Sequence, residues 1–306
     1  MDHYFGSSSG DMLADKRYAM ALEFAREGDH AAAADLLRQG IEFAPHWPPF
    51  YFQLGEALRQ TGDSGAAAAA FHQYLSRDPA DAMGASVKLS LIGAAPVPET
   101  MPEEYVRSLF HQYAPKFEKS LVENLQYHTP DLMAEMVAAH HAGAFAHLLD
   151  LGCGTGLAAQ HYAGRAAKMT GIDLAPGMID VARTKNLYNA LHTAGIDEFL
   201  EDTPARYDLV LAADVFVYVG ALEKTFASIA HAMTKGGLFC FSVQTPEHES
   251  AGFTLGADHR YAHPRAYIER CAVATNFSMV DIRENVTLRL DGGKPVTGAV
   301  YLLTSA

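Results

Sequence analysis

The seven residues Asp150-Leu151-Gly152-Cys153-Gly154-Thr155-Gly156 constrain the fold more than any other part of the chain. They follow the apolar run AHLLDL, which has the length of a buried strand, and lead into a segment that reads as a helix. Glycines at this spacing let backbone approach a ligand closely, and amides at a helix start present donors to an anion. A dinucleotide-binding loop carries its third glycine three residues after the second. Here Leu157 occupies that position, and the third glycine comes two residues after the second. Beyond the loop, the apolar runs AKMTGIDL, YDLVLAADV, GGLFCFSV, FSMVDIREN and AVYLLTS alternate with helical segments, the last two joined by the turn DGGKP. This order predicts an α/β, Rossmann-like parallel sheet with helices on both faces and an antiparallel hairpin at its edge.

At the end of the next strand, Asp173 in GIDL lies 23 residues after Asp150. A carboxylate there can accept both ribose hydroxyl protons, a contact that nicotinamide cofactors could use equally well. Taken with DLGCGTG, GIDLAPGM, YDLVLAADVFVYVG and MTKGGLFCFSV, it makes residues 103–306 resemble the class I S-adenosylmethionine-dependent methyltransferases. The likeness implies a seven-stranded domain with S-adenosyl-L-methionine as cofactor. It implies that Asp150 and the backbone of Gly152, Cys153, Gly154 and Gly156 hold the amino-acid end. It further gives Asp173 to the ribose, Met178 to the adenine and the Ile196 backbone to the base, with Leu174 and Asp214 completing the set. The acidic residue that the family commonly places just after its third strand is missing. Gly195 stands there, with Asp197 and Glu198 behind it.

Methyl transfer from a sulfonium is an in-line displacement, so the protein's task is to align the acceptor and exclude water. A general base is needed only for an acceptor that is protonated when it reacts. Acceptor-site candidates lie near the C-terminal strand ends: Tyr218 after the fourth strand, Gln244 ending the fifth, and His248, Arg260, Tyr261 and His263 within the polar stretch 246–263. Tyr113 and Phe117, four apart on an entering helix, are expected to form a lid, and Arg260 is expected to clamp a carboxylate. Tyr113, Phe117 and Tyr218 fit plain core spacing equally well, and Arg260 could instead pair with Asp258. His259 and His263 have helical ligand spacing, but the stretch reads as loop, which favours a structural role and no metal. Cys153 reads as a small buried filler rather than an activated thiol.

The first hundred residues follow a different rule. A shift of 34 aligns Gly28-Asp29 with Gly62-Asp63, Pro45 with Pro79, Ala33 with Ala67, Leu37 with Phe71 and Ala21 with Gly55. A helical hairpin needs these types: a tight Gly-Asp turn, small residues where helices approach, large ones to fill the groove, and a proline stop. The spacing resembles the tetratricopeptide repeat, from which the first copy departs at Arg17 and Gly40, and the whole chain resembles bacterial methyltransferases bearing such a module. The expected domains are helical repeats over 12–95 with a capping helix at 81–92, a linker at 96–102 holding all three prolines between 93 and 102, and the methyltransferase domain over 103–306. Two repeats leave an apolar end exposed, which predicts a homodimer or an intimate interdomain contact. Trp47 is expected to pack between the hairpins.

Charge removes several partners. Acidic residues outnumber basic ones by 36 to 23, giving −13, and both parts of the chain share the excess. Nucleic acid and anionic membrane surfaces need clustered Lys and Arg, so neither is expected. Three scattered cysteines and the lack of an apolar leader or spanning run fit a soluble, cytoplasmic protein. The expectation is methyl transfer to a small-molecule acceptor. The alternatives are a protein substrate recruited by the repeats, or a non-catalytic cofactor-binding adaptor.

Overall fold

The computed structural model describes residues 8–119 and 126–306; the side chains at 111–117 and 119 lie outside that description. Contacts divide the chain into compact units Met1–Ser108 and Leu109–Ala306. The division falls inside the helix Glu103–Lys119.

The first unit is built from α1 (Met12–Glu27), α2 (His30–Phe43), α3 (Pro48–Gln60), α4 (Ser64–Leu75) and α5 (Ala85–Leu91). Its two Gly-Asp turns have the same geometry. Gly28 and Gly62 sit at φ 88° and 86°, the left-handed conformation that glycine adopts without a Cβ penalty. Asp29 and Asp63 then accept from the amides of Ala32 and Ala66, capping α2 and α4. Ala33, Ala67, Leu37 and Phe71 are all buried at the helix contacts. Trp47 packs edge-on against Tyr18 and Phe50, with ring centroids 4.8 and 5.1 Å away. The capping helix starts four residues later than the sequence implies. Asp81 Oδ1 accepts from the Ala85 amide at 2.6 Å and Oδ2 from the Ser86 amide at 3.0 Å, so residues 81–84 form the cap instead of helix.

After α6 (Glu103–Lys119) and α7 (Thr129–His140), the second unit forms a mixed sheet. Parallel strands run in the order β3 (Ala190–Thr193), β2 (Met169–Asp173), β1 (Leu148–Leu151), β4 (Tyr207–Ala212) and β5 (Met233–Gln244). Beside β5 lies β9 (Lys294–Ser305), antiparallel, and β8 (Phe277–Asp291) pairs antiparallel with β9. The hairpin is longer than the two apolar runs alone, because its arms stay paired up to the Gly292-Gly293 turn. A small ribbon of β6 (Thr254–Leu255) and β7 (Tyr261–Ala262) joins β5 at Gln244. The helices α8 (Pro176–Thr184), α9 (Ile196–Asp202), α10 (Glu223–Ala232) and α11 (Arg265–Ala274) follow strands or precede them. Strand residues are buried on both faces of the centre: all four in β1, and Leu209 to Ala212 in β4. Among the described residues no helix is long and apolar enough to cross a membrane.

Candidate active site

The register places Asp150 of β1 beside Gly171 of β2 and beside Leu211 of β4, so the C-terminal ends of these strands open onto one crevice. The glycine loop lines it. Gly152, Gly154 and Gly156 all have positive φ, at 59°, 53° and 87°. A Cβ at Gly152 would stand 2.7 Å from a Val215 methyl, so both backbone angle and space exclude a side chain. The segment after the loop is not the α-helix that the sequence implies. It continues as turns and a single 3-10 turn at Ala159–Tyr162, so the donors facing the crevice are loop amides rather than a helix end.

Two carboxylates flank the loop, Asp150 buried and Asp173 half-buried. Asp173 bridges it: Oδ2 accepts from the Gly154 amide at 2.9 Å, and Oδ1 from the Ala175 amide at 2.8 Å. Burial pushes its carboxyl up to about 6, against the pull of those two amides. Asp150 accepts from the Tyr188 hydroxyl at 2.7 Å. Burial raises it to about 7, the Tyr188 bond opposes this, and the Asp173 charge adds to the rise. Tyr188 also lies over the loop, its ring 3.1 Å from where a Gly156 Cβ would be. No motif marks Tyr188; it stands just before β3, and only the fold brings it to Asp150. Burial lifts the Cys153 thiol well above its usual range, which fits a packed filler. Met178 is buried with Ala175, and Phe110 of α6 packs on that pair.

The other half of the crevice lies beyond β4 and β5. Asp214 takes a left-handed φ of 58°, and Arg289 of β8 places Nη1 2.8 Å from Oδ1 and 2.9 Å from Oδ2. The Ser242 hydroxyl accepts from the Asp214 amide at 2.9 Å. Gln244 accepts from Arg289 Nη2 at 3.4 Å and donates to Asp258 at 3.2 Å. Arg260 donates to the Tyr218 hydroxyl and lies 5.1 Å from the centre of that ring. Phe110 meets the Tyr218 ring edge-on at 5.4 Å. Tyr127 belongs here too: burial raises its phenol well above the usual range, and the charges of Asp214, Arg289 and Asp150 all act on it.

Of the acceptor candidates that are described, Tyr218 and Arg260 come together, while His248 and His263 lie elsewhere. Tyr261 is fully buried, edge-on to Phe253 at 5.7 Å, and belongs to the core. His263 is also core: its Nε2 lies 2.9 Å from the Gly220 carbonyl, and burial lowers its pKa to about 4, leaving it neutral. His248 is exposed in the connection from β5 to β6. The Tyr113 and Phe117 side chains lie outside the described residues, and on the same helix Phe110 is the aromatic residue seen to bridge Met178 and Tyr218. Leu174 is partly buried directly after Asp173, and Ile196, which opens α9, packs on the main core. Asp197 accepts from the Thr225 hydroxyl at 3.0 Å, so this acid behind Gly195 is committed to α10. Arg289, Tyr188, Tyr127 and Phe110 carried no signal at the sequence level, since each is an ordinary residue on a strand, loop or helix until the fold gathers them.

Residues 148–237 match the family model described as a methyltransferase domain. A 115-residue segment is 33% identical to a ubiquinone biosynthesis O-methyltransferase of Xylella fastidiosa (strain 9a5c), covering 36% of this chain and 46% of that protein. A malonyl-[acyl-carrier protein] O-methyltransferase of Serratia marcescens is 28% identical over 145 residues, 47% of this chain and 54% of that one. The chain thus spans about half the length of the curated relatives it matches. Among solved structures, a Burkholderia thailandensis 1,6-didemethyltoxoflavin-N1-methyltransferase, crystallised with 1,6-didemethyltoxoflavin and S-adenosylhomocysteine, shares the fold. Its TM-score is 0.54 at 17% identity, over 69% of this chain and 93% of that one.

Proposed function

We propose that this chain, whose residues 148–237 match a methyltransferase domain, transfers a methyl group from S-adenosylmethionine to a small-molecule acceptor. One observation carries the reading: a half-buried Asp173 at the end of β2, locked by two amides beside a loop whose Gly152 position would admit no Cβ. Such a cradle suits a ligand with a ribose at the carboxylate and a compact charged end at the loop. Asp150 and the loop amides would hold the amino-acid end, Asp173 the ribose, and Met178 with Phe110 the adenine. The bound group supplies an activated sulfonium methyl. The protein's part is then alignment and exclusion of water. Phe110 and Tyr218 wall the crevice, and no proton relay through His263 is required, because that ring is neutral and buried. The small-molecule reading draws on the similarity to a ubiquinone biosynthesis O-methyltransferase and a 1,6-didemethyltoxoflavin-N1-methyltransferase.

The helical unit reads as a pair of tetratricopeptide-like hairpins, supported by the equal geometry of the Gly28-Asp29 and Gly62-Asp63 turns. Homodimerisation through its apolar end and a cytoplasmic site of action belong to the same proposal.

Calorimetric titration with S-adenosylmethionine and S-adenosylhomocysteine tests the reading. Both are expected to bind, and Asp173→Ala is expected to abolish binding while the protein stays folded. A wild-type chain that binds neither overturns it.

A further inference from the structure

We infer that the acceptor is a carboxylate-bearing small molecule and that the Arg260 guanidinium holds its carboxylate. The identification of this molecule as the acceptor rests on the methyl-transfer reading above; the binding does not.

The inference follows from which charged groups pair directly at the ends of β4 and β5. Asp214 is neutralised by Arg289, which contacts both of its oxygens, and the second Arg289 nitrogen goes to Gln244. Asp258 takes a hydrogen bond from Gln244 on one oxygen and from the Arg260 backbone amide on the other. Among the described residues, no carboxylate lies within ion-pair distance of the Arg260 guanidinium. Its hydrogen bond is to the Tyr218 hydroxyl. That phenol stays neutral, because burial raises it above its usual range. Among the described residues Arg260 therefore has only a neutral direct partner in its partly buried crevice, the charges of Asp214 and Asp258 acting on it from beyond ion-pair distance. Partial desolvation weakens its hydration and strengthens any ion pair it makes.

The same contacts give the charge a direction. The Tyr218 ring lies under the guanidinium and its hydroxyl holds one nitrogen, which fixes the plane of the fork. A planar fork whose other N–H groups have no partner among the described residues matches the two oxygens of a carboxylate, where a lysine would offer only a point charge. Phe110, edge-on to Tyr218, provides an apolar wall for the rest of the molecule. The overall charge of −13 repels anions at long range, so selection must come from this local group.

The test uses the full chain, with and without saturating S-adenosylhomocysteine. Benzoate, phenylacetate and malonate are titrated beside their amides, and inorganic phosphate is the competing anion. At least one carboxylate is expected to bind, with its amide and the Arg260→Gln variant each weaker by about tenfold or more, as for loss of a charge-assisted bond. Arg260→Lys should fall between wild type and Arg260→Gln, and S-adenosylhomocysteine should bind both variants as it binds wild type. Absence of binding by every carboxylate, equal binding of acid and amide, or phosphate binding in their place overturns the inference. So does carboxylate binding that survives Arg260→Gln. Weakened S-adenosylhomocysteine binding in folded Arg260→Gln would assign Arg260 to the cofactor instead, and overturns it as well. Failure of the methyl-transfer reading shows separately, as a wild-type chain that binds no S-adenosylhomocysteine.

Discussion

Arg289 holds Asp214 through a single nitrogen, 2.8 Å from one carboxylate oxygen and 2.9 Å from the other, across 75 residues of sequence. The pair ties β8 to the segment after β4, and the arginine side chain is 4% exposed. Removing one partner leaves the other charge buried and uncompensated. Arg289→Met is therefore expected to cost about 3–5 kcal/mol of stability. Adding Asp214→Asn to it should recover part of the loss, because the stranded charge is gone. Chemical denaturation of the two variants checks this, and a double variant less stable than Arg289→Met would refute the electrostatic account.

Asp150 and Asp173 give the ligand-free protein a pH dependence of definite sign. Their folded carboxyls titrate near 7 and 6, above the 3.8 of an unperturbed aspartate. The folded state thus holds these protons more tightly than the unfolded state does. The resulting stabilisation is fully present below about pH 4 and is lost as pH rises through 6 and 7. Other groups add their own slopes, so the diagnostic is a difference. Relative to wild type, Asp150→Asn is expected to flatten the fall of thermal stability between pH 5 and 8.

Cofactor binding should read the same protons. A ribose at Asp173 donates hydroxyl protons to the carboxylate, and a cationic amino-acid end favours an ionised Asp150. Binding near pH 6 is therefore expected to release protons. Affinity for S-adenosylhomocysteine should rise between pH 5.5 and 7.5, and the calorimetric enthalpy should vary with the buffer's ionisation heat. Tyr188→Phe removes the hydroxyl bonded to Asp150, raising that carboxyl further and moving the pH midpoint upward. A buffer-independent enthalpy with a flat pH profile would contradict the arrangement.

How much of this could be read in advance depended on whether residues were related along the chain or only across the fold. Asp150 and Asp173 lie on adjacent strands of a parallel sheet with the glycines in the loop after the first, so their spacing reports their proximity. The helical hairpins were legible for a similar reason, since a 34-residue period repeats the same turn. Arg289 and Tyr188 were not, because a strand register and a loop path bring them in, and neither leaves a trace in local composition. His263 shows the opposite failure. It shares the polar stretch with Arg260, but the β7 register turns its ring into the core beside Tyr267. The helix expected after the glycine loop fails because only the short stretch from Leu157 to Ala163 separates Gly156 from Gly164, both at positive φ.

The second helical hairpin, α3 with α4, makes opposite predictions for two glycines that look alike in sequence. Gly55 lies within α3, where a Cβ would come within 2.6–2.9 Å of three atoms of the Phe71 ring. That ring is fully buried and edge-on to Phe52 at 5.6 Å, so it has little room to retreat. Gly55→Ala is expected to destabilise by about 1–3 kcal/mol through overpacking. Gly65 lies in the first turn of α4, and its Cβ would meet only an Asp63 oxygen at 3.8 Å. With no clash to offset it, Gly65→Ala should stabilise by roughly 0.5–1 kcal/mol, the usual gain from relieving a helical glycine. Thermal unfolding of the two variants, followed by far-UV circular dichroism, separates these effects. If Gly55→Ala were stabilising like Gly65→Ala, α3 and α4 would stand farther apart than the buried Phe71 contact requires, and the close-packed hairpin would have to be abandoned.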